Sequence, residues 1–128
     1  MRIAKQFIND KNNVIKYEVF STDAVHNIPF FVNKEYMGRA VVVEPIDCDW
    51  KILLDISVEV KGKGYGSELM GFLKEFFDNM LTLARNKKVE RFLIKNGFEE
   101  HVSGENQPNY YTFKKGKEEL DIPKWVSK

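Results

Sequence analysis

The stretch from Ile56 to Phe77 constrains the fold more than any other, because it sets a run of glycines between a β-prone segment and an amphipathic helix. Ile56-Ser57-Val58-Glu59-Val60 closes a strand pattern, Lys61-Gly62-Lys63-Gly64-Tyr65-Gly66-Ser67 reads as a turn, and a helical pattern runs from Glu68 onward. Glycines at alternate positions bring the backbone close to a ligand, since they carry no Cβ and accept a positive φ. Successive N–H groups then converge at the positive end of a helix dipole, an arrangement suited to a pyrophosphate. In the helix, Leu69, Phe72, Leu73, Phe76, Phe77 and Met80 recur at helical spacing and form one apolar stripe, with Asp78-Asn79 as its end.

Spacing excludes two common phosphate loops. Gly62 and Gly66 are four apart rather than five, and no Lys-Ser/Thr pair follows the second, so this is not a Walker A loop. A dinucleotide fingerprint starting at Gly62-x-Gly64 needs a glycine where Ser67 stands, and no acidic residue closes a parallel βαβ unit at the required distance.

The turn resembles the pyrophosphate loop of the GNAT superfamily of N-acetyltransferases, Gln/Arg-x-x-Gly-x-Gly/Ala between a strand and a helix. Lys61 takes the Gln/Arg place, and Gly64 and Gly66 supply the glycines. A second segment, Asn86-Lys87-Lys88-Val89-Glu90-Arg91-Phe92-Leu93-Ile94-Lys95-Asn96-Gly97-Phe98, is similar to the family's next pattern, Asn-x-x-Ala-x-x-Phe-Tyr-x-Lys-x-Gly-Phe. The two come in the family's order and cover roughly the C-terminal half of the chain. The resemblance implies an α/β (α+β) fold in one domain over residues 1–128, with a mixed, mostly antiparallel central sheet and helices packed on its faces.

Composition agrees with a single domain. A chain of 128 residues buries roughly two thirds of the surface it exposes when unfolded. Hydrophobic residues at 43%, ten of them Phe, supply a core, and 30% charged residues supply a hydrated surface. No apolar run approaches a membrane span and Met1-Arg2-Ile3-Ala4-Lys5-Gln6 lacks a signal-peptide core, so a cytoplasmic protein without a membrane partner is expected. The single Cys48 has no partner for an intramolecular disulfide, which fits a reducing compartment. A net charge of +1 provides no global field toward nucleic acid. Arg85, Lys87, Lys88, Arg91 and Lys95, and again Lys114, Lys115 and Lys117, form basic runs. Either run reads as a solvated face, the first alternatively as a dock for the 3′-phosphate of CoA; no nucleic-acid reading motif accompanies them.

The rest of the chain reads as strands. Residues 1–20 suggest two strands around the polar turn Asn9-Asp10-Lys11-Asn12-Asn13, with a short helix at Ile3–Ile8 as the alternative. Ser21 to Val25 suggests a brief turn, Ile28–Val32 a strand, Asn33-Lys34-Glu35 a turn, Tyr36–Ile46 a strand, Asp47-Cys48-Asp49 a turn, and Trp50–Val58 the strand that reaches the glycines. Pro29 leaves room for at most a truncated helix between 21 and 29, where the family usually has two helices. The acceptor side is then unusually open, or completed by another subunit as in a homodimer. Met80–Ala84 is the candidate fifth strand of the family, Val89, Phe92 and Leu93 form the apolar face of a second helix, and Gly97-Phe98 stops it. Glu99–Val102 and Tyr110–Lys114 suggest a hairpin across residues 103–109, and the tail with Pro123 and Trp125 is expected to be peripheral.

The activity that the resemblance implies is transfer of an acetyl group from acetyl-CoA to a primary amine of a small molecule or peptide, without a covalent enzyme intermediate. Such a protein holds the cofactor, stabilises an oxyanion and arranges proton removal. By resemblance, the backbone of Lys61, Gly62, Lys63, Gly64, Tyr65 and Gly66, with Ser67, takes the pyrophosphate. The main chains of Ile56 and Val58 meet the pantetheine arm and thioester. Asn86 matches an asparagine whose amide contacts the cofactor, or is a plain turn residue. The family's acid, a tyrosine, falls at Leu93, which has no proton to give. Tyr110 or Tyr111 is the substitute within reach of the reading, and Asp55 or Glu59 the candidate base acting through water; each is alternatively a packing or surface residue. His26 and His101 are solitary and read as loop or surface residues, so no metal site is expected. A catalytically lapsed acyl-CoA-binding regulatory module is the alternative to the enzyme.

Overall fold

The computed structural model describes residues 2–104, 106–116 and 120. Eight strands and two helices follow one another as β1 (Arg2–Ile8), β2 (Val14–Thr22), β3 (Val25–Val32), β4 (Glu35–Val43), β5 (Lys51–Val58), α1 (Tyr65–Phe76), β6 (Asn79–Leu83), α2 (Lys87–Lys95), β7 (Glu99–His101) and β8 (Tyr110–Lys114). The sheet order is β1-β2-β3-β4-β5-β6-β8-β7. It is mixed: β1 to β4 form antiparallel hairpins, β5 and β6 are parallel, and β8 is antiparallel to both β6 and β7. The fold class is therefore α+β, as the sequence implied. The residues group into two compact units, one of Met1–Val43 and Leu53–Leu69, the other of Glu44–Ile52 and Met70–Lys128.

The first unit is built on strand alternation. Ile15, Tyr17 and Val19 on β2, Ile28, Phe30 and Val32 on β3, and Ala40 and Val42 on β4 are all buried, as a period of two requires of one covered sheet face. The hairpins need short turns with residues that tolerate a positive φ, and Asn12, Asp23, Asn33 and Lys34 adopt one. Ile3–Ile8 is strand and not the alternative helix, because each residue from Arg2 to Ile8 pairs with β2. Residues 21–29 hold a hairpin turn and the start of β3, with no truncated helix. Strand β4 stops at Val43 rather than Ile46, consistent with Pro45, which has no N–H to give a ladder.

Two aromatic residues of that buried face fix the start of α1. The Tyr17 hydroxyl donates to the Glu68 carbonyl at 2.8 Å, and its ring stacks on Phe30 at 5.1 Å. Phe30 in turn meets the Tyr65 ring edge-on at 6.0 Å. A buried phenol without an acceptor is costly, so the Glu68 carbonyl and the Tyr17 hydroxyl select each other.

In the second unit, α1 ends at Phe76 and Met80 lies in β6 instead of continuing the helical stripe. Helix α2 ends as its glycine implied. Gly97 has φ +89°, its N–H donates to Ile94, and the N–H of Phe98 donates to Leu93, the paired bonds of a Schellman motif. The β7–β8 hairpin pairs Glu99 with Thr112 and His101 with Tyr110. Cys48, a free thiol, packs with Tyr110 and Leu120 against the buried Trp50, Ile52 and Leu81. Among the described residues no helix is long and apolar enough to cross a membrane. Lys117, Pro123 and Trp125 lie outside the described residues.

Replacing Tyr17 by Phe removes the hydroxyl and leaves the Glu68 carbonyl without this donor. The expected loss is about 1 kcal/mol of unfolding free energy, read as a lower urea midpoint with an unchanged m-value.

Candidate active site

The glycine loop lies in the first unit. Gly62 and Gly64 take φ of +79° and +76°, the left-handed region that other residues enter only with strain. Gly66 does not need this freedom; it sits in the first turn of α1, which begins at Tyr65, earlier than the sequence pattern suggested. The N–H of Glu68 donates to the Gly64 carbonyl at 3.0 Å, so Gly64 is the cap from which the helix starts. The amides of Tyr65, Gly66 and Ser67 then precede the first acceptor in the helix, at its positive end.

Exposure and charge suit an anion at this place. Lys61, Gly62, Lys63 and Gly64 are exposed, and a Cβ on either left-handed glycine would meet open space beyond its own chain neighbours. Lys61 and Lys63 make no ion pair among the described residues. The donor set is thus backbone N–H groups and ammonium groups, the chemistry a diphosphate requires. Ile56 and Val58, half-buried, end β5 just before it. Parallel pairing with β6 consists of Lys51 with Met80 and Ile52 with Leu81, so the residues from Leu53 to Val58 lie beyond that ladder.

The two candidate bases differ. The Asp55 carboxylate, 31% exposed, is 3.5 Å from the Arg39 guanidinium, whereas Glu59 is an exposed residue whose N–H donates to the Met37 carbonyl at 2.7 Å.

In the second unit, Asn86 caps α2: its side-chain oxygen accepts from the Val89 N–H at 2.9 Å. Leu93 is 1% exposed, so the position where the resemblance places a tyrosine is here a core position. The candidate acids also divide. Tyr111 is buried and donates to the Glu100 carboxylate at 2.8 Å. Burial, and then that bond, push its phenol far above the usual tyrosine range. An acid works best with a pKa near the working pH, so this one is poorly suited. Tyr110 is half-buried, and its ring stacks face to face on His101 at 4.7 Å.

Neither histidine is the loop or surface residue that the sequence suggested. His26 is 9% exposed in β3 with Nδ1 2.6 Å from the Ser21 hydroxyl, and His101 in β7 is bonded to Thr112 at 2.8 Å. No group of three or more His, Cys, Asp or Glu among the described residues is placed to hold a metal ion. The basic run from Arg85 to Lys95 is exposed along α2, while Lys115 of the second run is 3.8 Å from the Asp78 carboxylate. Sequence reading missed Tyr17, Phe30 and Gly38; the isolated glycine inside a strand pattern was a usable signal for the last of these.

Solved structures share this architecture. An acetyltransferase from Thermus thermophilus superposes with a TM-score of 0.60 at 15% identity, over 70% of this chain and 64% of that one. The chain thus spans just under two thirds of that protein's structure. A GNAT family acetyltransferase from Elizabethkingia anophelis with acetyl-CoA bound gives 0.54 at 14% identity, over 71% of this chain and 76% of that one. The chain has the GNAT acetyltransferase fold. A Bacillus anthracis str. Ames protein in complex with acetyl coenzyme A covers more of it, with a TM-score of 0.62 at 12% identity over 89% of this chain and 98% of that one. No protein-family model and no curated protein matches the sequence. On this GNAT frame the glycine loop joins the fifth strand to the first helix, and the N-terminal part is a strand meander.

The bond from Tyr111 is the first cause of a lowered Glu100 pKa, ahead of a bond with Glu90. In Tyr111→Phe the Glu100 midpoint rises toward the ordinary carboxylate value of 4.5. The stability that this carboxylate contributes above that pH, and loses as pH falls through its depressed midpoint, shrinks accordingly. Carbon-detected NMR titration of the Glu100 carboxyl reads the shift.

Proposed function

We propose that the chain is an acetyl-CoA-dependent N-acetyltransferase that passes an acetyl group to a primary amine by direct attack on the thioester. The observation that carries the reading is the pair of left-handed glycines, Gly62 and Gly64, set immediately before the first turn of α1. The GNAT fold supports it, as do the acetyl-CoA complexes among the similar structures.

In this reading the amides of Gly62, Gly64, Tyr65 and Gly66 take the pyrophosphate, Lys61 and Lys63 add charge, and Ser67 adds a hydroxyl. The main chains of Ile56 and Val58 meet the pantetheine arm. Bound acetyl-CoA supplies the activated acyl group on a thiol of pKa about 8.5, which departs near neutral pH without an enzyme acid. That accommodates Leu93 and the poorly suited Tyr111.

The acceptor class follows from proton cost. At pH 7 deprotonating a lysine amine costs about 4.6 kcal/mol, and an α-amine about 1 kcal/mol. With Asp55 paired to Arg39, an amine of low pKa is favoured. A lapsed acyl-CoA-binding module is the second reading, favoured specifically by the burial of Leu93.

Gly64→Asp places a carboxylate and a strained φ in the loop, and calorimetry is expected to show CoA binding lost while the variant stays folded; retained binding contradicts the diphosphate reading. With wild type, release of free thiol from acetyl-CoA in the presence of a panel of amines supports the enzyme, and binding without release across diverse acceptors supports the module. For the enzyme, the pH–rate profile is expected to follow the ionisation of the amine. A carboxylate-like limb that disappears in Asp55→Asn identifies Asp55 as a base instead.

A further inference from the structure

Strand β4 carries one residue more than β3 offers it. Phe30 pairs with Gly38 and Phe31 with Tyr36, which leaves Met37 as the extra residue of a β-bulge. The Met37 carbonyl accepts from the Glu59 N–H at 2.7 Å, just past the end of β5. Beside it, a Cβ on Gly38 would lie 2.2 Å from the Ser57 carbonyl oxygen and 2.9 Å from the Val58 Cα. Gly38 has no positive φ, so its requirement is space and not backbone freedom. The atoms in the way are backbone, which cannot swing aside as a side-chain tip does.

We propose that Met37 and Gly38 form a clamp that sets the position of the glycine loop, which makes Gly38 a positioning residue for the diphosphate site. The proposal rests on the reading of Lys61–Gly66 as that site. The bulge frees a carbonyl to hold Glu59, and the missing side chain lets Ser57 and Val58 lie close against β4. Lys61 follows two residues after the clamped amide. Restoring an ordinary contact moves the Ser57–Val58 backbone by roughly 1 Å, and a misplacement of that order at a binding site costs up to about a hundredfold.

The test is calorimetric titration of CoA into wild type, Gly38→Ala and Val19→Ala. Val19 is buried on β2, and its truncation serves as a destabilised control. Gly38→Ala is expected to weaken CoA binding about 10- to 100-fold, whereas Val19→Ala lowers the melting temperature with the affinity of the folded protein unchanged. Folded Gly38→Ala with wild-type affinity overturns the proposal, as does an equal loss in the control. Should Gly38→Ala not fold, amide hydrogen exchange on wild type decides: the Glu59 amide is expected to be protected relative to Lys61 and Lys63, and exchange as fast as theirs removes the clamp. If wild type itself takes no CoA, the diphosphate reading falls alone, and the same Glu59 amide still decides whether the clamp exists.

Discussion

A single hydroxyl governs the geometry of the glycine loop from its helical side. Tyr17 is almost wholly buried, and a phenol there must find an acceptor; it finds the Glu68 carbonyl in the first turns of α1. The rings of Phe30 and Tyr65 complete the contact. The helix start is thereby tied to the same buried sheet face that forms the core of the first unit. From the strand side, the Glu59 amide is held by Met37. The five residues between Glu59 and Tyr65 are left to span two fixed ends, and two of them are glycines in the left-handed region.

This division of labour explains why the loop can be exposed and still be well placed. From Lys61 to Gly64 it contributes little packing of its own, since Lys61 and Lys63 are exposed and the glycines have no side chain to bury. Order comes from the anchors. A loop whose amides must converge on one point is sensitive to anything that shifts its anchors, which lie on β2, β3 and β4. Acyl transfer suits such a site, because holding and orienting an already activated donor supplies much of what the reaction needs.

Much of this was legible in the sequence where a local rule acts alone. The two strands around the turn at residues 9–13, the apolar stripe from Leu69 to Phe77, and the Gly97-Phe98 stop each follow from period or turn chemistry, and each is found. Met80 was ambiguous because an apolar residue fits both a helical stripe and a strand; the helix ends at Phe76, and Asn79 opens β6 with its side-chain amide bonded to the Asp49 carbonyl. Gly38 stood out as a lone glycine in a strand pattern, but its close approach to Ser57 and Val58 could not be read, because it depends on which strand lies opposite. The histidines were misplaced for the same reason: solitary in sequence, they are bonded to Ser21 and Thr112 through the sheet. Of the candidate site, the glycine turn between strand and helix was legible as a turn. The capping role of Asn86 and the bond from Tyr111 to Glu100 were not, since each depends on a partner's orientation.

That main-chain amides around Gly62, Gly64, Tyr65 and Gly66 receive a diphosphate is the reading on which the rest depends. Its most direct measurement is a nitrogen–proton NMR titration of the labelled protein with CoA. These amides are expected to shift first and furthest, with Tyr17 and Phe30 nearly unmoved because their contacts are already made. Saturable shifts confined to other segments, or none at millimolar CoA, would contradict that reading.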